Sequence, residues 1–224
     1  MKKIILWGPS TSVWLAAARM VCSEKNIAYS FEKAPEPDHQ WGPDHAARLM
    51  LLQAPALRDG GFCLFTGEAI LRYLDDGFPG PSLLPIYART RGLASEMLAI
   101  IREYVMESAI GALGLQRLLL PRFNVKPNDD ICAQGLTVLK DALLVLEQLS
   151  YLAHDGERSE FLTGPDIALP DIALMPVFYY LNQVEEGKAL IENSPRLARW
   201  WLEVEKRHSL RVVGEDLMFQ TLAP

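Results

Sequence analysis

The chain has 224 residues, half of them apolar, a formal net charge of -6 and a pI near 5.3. That length accommodates one large domain or two small ones around a real core. The acidic balance, with Lys and Arg scattered, argues against a nucleic-acid or anionic-membrane surface.

The opening "MKKIILWG" holds an apolar run of only five residues, counting Gly8, before Pro9 and polar residues interrupt it. It is too short for a signal sequence or a membrane span and reads as a buried first strand. Ser10, Thr11 and Ser12 then crowd the few residues between Gly8 and "VWLAAARMVCSEK", whose apolar spacing predicts a helix closed by Asn26. "AYSFEKA" alternates like a strand, and "PEPDHQWGPDHAARL" reads as a polar loop in which His39 and His45 sit in a solvated turn. In "APALRDGGFCLF" the Asp59-Gly60-Gly61 step between two short apolar runs signals a hairpin, and "EAILRYLDDGF" has helical spacing. Cys22, Cys63 and Cys132 show none of the short spacings of zinc sites or redox pairs. They read as buried free thiols of a reducing cytosol, and no metal is implied.

After Phe78 the texture changes. "PGPSLLP" is a linker by composition, and helical patterns follow over roughly 88–120, 129–152, 171–184 and 195–207. The plan is a small α/β domain over 1–79, a linker over 80–87 and an all-helical domain over 88–224. The tandem "PDIALPDIAL" is too short to be a repeat architecture.

Four local patterns stand in a fixed order: strand–Gly8–hydroxyl cluster–helix ending "SEKNIAY"; "QAPAL"; "FTGEAILRYLDDGFPGPSLLP"; and "FLTGPDIALPDIALMPVFYYL" with "SPRLARWWLEVEKRHSL". Together they resemble the cytosolic glutathione transferase family over almost the whole chain. The resemblance implies a thioredoxin-like α/β domain followed by an all-α domain. It also implies a cytoplasmic homodimer that uses glutathione as co-substrate against a small hydrophobic electrophile. A second reading keeps the fold but makes it a non-catalytic binding module with a degenerate glutathione site.

The resemblance places Ser12 where serine-type members carry their catalytic serine, with Ser10 and Thr11 as lesser candidates and Trp7 where other classes carry a tyrosine. A helix N-terminus stabilises an anion, and a hydroxyl donating to a thiolate adds to that effect. Capping alone also explains a serine there. Gln53, Ala54 and Pro55 match the segment that relatives pair with the tripeptide's backbone. Thr66 and Gly67 replace the Glu-Ser or Gln-Ser that grips the γ-glutamyl group, with Glu68 a candidate partner for its ammonium. The missing side chains imply weak glutathione binding or a changed pose. For the electrophile the resemblance points to Trp14, Glu103, Tyr104, Met106, Glu107, Gln116, Met218 and Phe219. Ala168 stands where relatives place a capping Ser or Thr three residues before Asp171.

Overall fold

The computed structural model describes residues 4–33, 55–154 and 159–217. His39, His45, Gln53, Ala54, Met218 and Phe219 therefore lie outside the described residues.

Strand β1 (Ile4–Gly8) leads into helix α1 (Val13–Glu24), and β2 (Tyr29–Lys33) then pairs parallel to β1 with Leu6 opposite Phe31. Asn26, in the left-handed region at φ 55, turns the chain after α1 as its sequence position implied. Strands β3 (Ala56–Asp59) and β4 (Phe62–Leu64) form the antiparallel hairpin read from Asp59-Gly60-Gly61. Gly60 supplies the positive φ of 61° that the tight turn needs. The sheet order is β2-β1-β3-β4, with β3 antiparallel to β1. Helix α2 (Gly67–Gly77) closes the unit against α1. This is the thioredoxin-like arrangement, and every regular element described beyond the linker is a helix.

Helix α3 (Ala88–Ile100) runs on without a break, but its hydrogen bonds widen. Met106 N–H reaches Ile101 O and Leu120 N–H reaches Leu115 O, so residues 101–105 and 107–119 are wound with i+5 spacing. Gly111 and Gly114, the two glycines of this stretch, both lie inside the widened part. Next come α4 (Asp129–Ala153), α5 (Leu169–Leu181), α6 (Glu185–Glu192), α7 (Pro195–Val204) and α8 (His208–Leu217). The pattern over 195–207 thus resolves into α7 and a turn, while α6 and α8 lie outside the expected helical ranges.

The helical core is organised on α5, which is buried along nearly its whole length. Asp171, fully buried, accepts from Leu162 N–H and Trp200 Nε1–H on one oxygen and from Ala168 N–H on the other, at 2.7 to 2.8 Å. Burial pushes its carboxyl up to about 6, against the pull of those three donors. Ala168 has no hydroxyl to give, so Asp171 caps its own helix through the Ala168 amide.

Two clusters tie the sheet unit to the helices. Arg19 donates to Asp216 at 2.7 Å and to Tyr29 Oη at 3.2 Å; Glu24 accepts from Arg207 and Ser209. The linker is held by a buried ion pair: Lys25 Nζ lies 2.9 Å from Asp75 Oδ1 and also donates to the carbonyls of Asp75 and Pro81. No helix among the described residues is long and apolar enough to cross a membrane.

Candidate active site

Ser12 is the N-cap of α1. Its backbone is extended, and its Oγ accepts the Leu15 N–H at 3.3 Å. Accepting uses a lone pair only, so the hydroxyl proton remains available to a neighbouring anion. The first-turn N–H groups of α1 and the positive end of its dipole face the same point. Thr11 and Ser10 precede it in the loop, and the Thr11 carbonyl accepts the hydroxyl of Tyr180, 2.9 Å away on α5. The loop that carries the hydroxyls is therefore pinned by the helical domain, a contact with no signal in the local sequence.

Thr66 is exposed and is the N-cap of α2, with no capping hydrogen bond from its side chain. Gly67, the first residue of α2, is buried under the indole of Trp14. A Cβ built on Gly67 falls 2.4 Å from Trp14 Cγ and Cδ2. Trp14 itself is half-buried in the first turn of α1. The structure thus brings Trp14 and Gly67 together where the starts of two helices converge, with Ser12 the cap of the first. Glu68 accepts from Arg72 at 3.1 Å and from Arg102 at 3.3 Å, which links α2 to the widened helix. Pro55 is buried just ahead of β3.

The candidates beyond the linker separate. Glu103, Tyr104 and Glu107 line a hollow of about 280 Å³ between the widened helix and α4, and Glu103 pairs with Arg102 at 2.6 Å. Met106 is buried in the core. Gln116 is also buried, and its Oε1 accepts the Asn128 N–H at 2.7 Å, which steadies the lead-in to α4. A larger hollow, about 980 Å³, lies between the linker and residues 159–168; none of the candidate residues lines it.

Cys22, Cys63 and Cys132 are buried, and burial pushes the Cys22 thiol up to about 12. Burial raises the Cys132 thiol as well, which disfavours the nucleophilic thiolate at both positions. Among the described residues no three His, Cys, Asp or Glu groups converge as a metal site would need.

Residues 2–76 match the family model for the glutathione S-transferase N-terminal domain. Human glutathione S-transferase theta-1 is 32% identical over 169 residues, which span 75% of this chain and 65% of that one. The chain belongs to the glutathione S-transferase family. Arabidopsis thaliana glutathione S-transferase F12 is 27% identical over 169 residues, covering 75% of this chain and 76% of the relative. Glutathione S-transferase I from maize, solved in complex with an atrazine glutathione conjugate, superposes with a TM-score of 0.77 at 22% identity, over 98% of this chain and 99% of that one. That structural likeness shows the glutathione S-transferase fold through both parts of the chain. The co-substrate of this family is glutathione.

Proposed function

We propose that this chain is a serine-type glutathione transferase that holds the sulfur of glutathione as a thiolate against the first turn of α1. The Ser12 hydroxyl donates to that sulfur. The carrying observation is that Ser12 Oγ accepts the Leu15 N–H and so keeps its proton for a ligand. An unperturbed thiol near pKa ~8.5 is mostly neutral at pH 7, so lowering it by about two units makes most of it nucleophilic. The thiolate then attacks a small hydrophobic electrophile; the S–C bond forms and the leaving group departs with its electron pair. Holding both partners in one cleft supplies the rest of the rate. The conjugate bound by the maize relative supports an electrophile of this class. No cysteine stands at position 12, which sets the thiol-exchange branch of the family aside.

A cytoplasmic homodimer is part of the same reading. Ile131, Val138, Val145 and Leu152 are exposed at seven-residue spacing along α4, an apolar stripe of the kind a second copy covers.

Ser12→Ala tests the mechanism. Loss of one preorganised donor to a developing or resident anion lowers kcat/KM by about 100-fold, and bound glutathione loses its thiolate ultraviolet absorbance at neutral pH. Loss of the cap costs about 1 kcal/mol of stability. Ser12→Thr, which keeps both cap and hydroxyl, retains the absorbance. Turnover of Ser12→Ala within threefold of the parent across several electrophiles refutes the role.

A further inference from the structure

We propose that Trp14 confines position 67 to glycine: its indole fills the space above Gly67 and thereby removes the side-chain contact that would hold the γ-glutamyl arm of glutathione. The inference rests on the glutathione reading above and concerns how strongly this chain distinguishes glutathione from a shorter thiol.

The geometry makes the two positions one unit. The atoms that a Cβ at position 67 would meet are Trp14 Cγ, Cδ2 and Cε3, at 2.4, 2.4 and 2.6 Å. These lie at the root and fused edge of the ring, so no small tilt relieves the clash; the indole would have to leave for another rotamer. Only glycine fits beneath it. The adjoining groups do not replace what is lost. The Thr66 side chain makes no cap and is exposed. The Glu68 carboxylate already receives Arg72 and Arg102. What remains at the start of α2 is its backbone N–H groups, with the Trp14 indole packed over Gly67.

The γ-glutamyl arm therefore adds little to affinity in the parent protein, and the thiol is recognised chiefly through its cysteinyl-glycine part. Calorimetric titration with glutathione and with cysteinylglycine N-acetylated to keep the cysteinyl amide measures this directly, since the two thiols then differ only in the rest of that arm. The ratio of their dissociation constants is expected to stay below tenfold in the parent. In the double variant Trp14→Ala with Gly67→Ser, a hydroxyl returns to the helix start with room to sit, and the ratio rises at least tenfold above the parent's. Trp14→Ala alone leaves the ratio unchanged, because no hydroxyl has been restored. Gly67→Ser alone lowers the Tm, and adding Trp14→Ala recovers it. This stability coupling needs no ligand and keeps the contact testable if a single variant is too unstable to titrate.

A flat ratio in the double variant, with both thiols binding, overturns this inference while leaving the Ser12 mechanism standing. So does a Gly67→Ser protein as stable as the parent, or a parent that prefers glutathione by a hundredfold. Failure of both thiols to bind the parent and the variants at millimolar concentration overturns the glutathione reading and this inference with it.

Discussion

Replacing Lys25 by Met should unlock the linker more than any surface change. Lys25 and Asp75 are both almost fully buried, with side chains 2% exposed, and the Lys25 ammonium serves the Asp75 carboxylate and two carbonyls at once. The same Asp75 Oδ1 accepts the Leu83 N–H at 2.9 Å, and the Leu83 carbonyl accepts the Leu169 N–H at the start of α5. Asp75 thus joins α1, α2, the linker and the helical domain. Met fills the lysine's volume without its charge, leaving a buried carboxylate whose remaining partner is one amide. Breaking a buried pair from one side costs about 3–5 kcal/mol. In a chain of this length that corresponds to roughly 6–20 °C in Tm. Replacing both partners, Lys25→Met with Asp75→Leu, removes the stranded charge; beyond the two carbonyls that either variant leaves without the ammonium, it strands the Leu83 N–H, a cost of about 1–3 kcal/mol. The double variant should therefore be more stable than Lys25→Met alone, read from urea unfolding followed by tryptophan fluorescence. A Lys25→Met cost under about 1 kcal/mol, or a double variant weaker than the single, would show that this pair does not hold the linker.

His154 gives a pH signature. Burial, and then the Arg196 guanidinium 3.1 Å from its Nε2, lower its pKa from the usual 6.5. The unfolded chain then binds the extra proton first, so stability is complete above about pH 6.5 and is lost as pH falls from there through the depressed folded value; His154→Gln should flatten that part of a Tm-against-pH curve. Gly135→Ala should destabilise, because its Cβ would lie 2.4 Å from Ala112 Cβ where α4 crosses the widened helix. A cost of about 1–3 kcal/mol is expected, whereas Gly92→Ala, in open space on α3, should be neutral or stabilising when both are unfolded in urea.

Much of the fold is legible in the residues because its signals are local. The alternation in "AYSFEKA", the Asp59-Gly60-Gly61 turn, and the long helical period after the linker each name an element without reference to any other part of the chain. Ser12 was legible too, since a hydroxyl ahead of an apolar period is a cap signal. The unfavoured pairing of Thr66 with Gly67 was visible as a departure, but not its reason: Trp14 is 53 positions away and meets Gly67 only when α1 packs on α2. The same holds for Tyr180 and Thr11, 169 positions apart, and for Arg102 and Glu68.

The tandem pentapeptide makes the division plain. Pro165–Leu169 and Pro170–Leu174 have identical sequences, yet Pro165 and Asp166 lie exposed in a loop while Asp171 is buried and caps α5. Local propensity is the same for both copies and cannot choose between them. The choice falls to partners far along the chain: Trp200, with its indole N–H, and Leu162, with its amide, converge on one carboxylate and leave the other in water. Sequence alone determined which segments could be helix or strand; the burial of particular polar groups against distant donors decided which of them sits at the heart of the molecule.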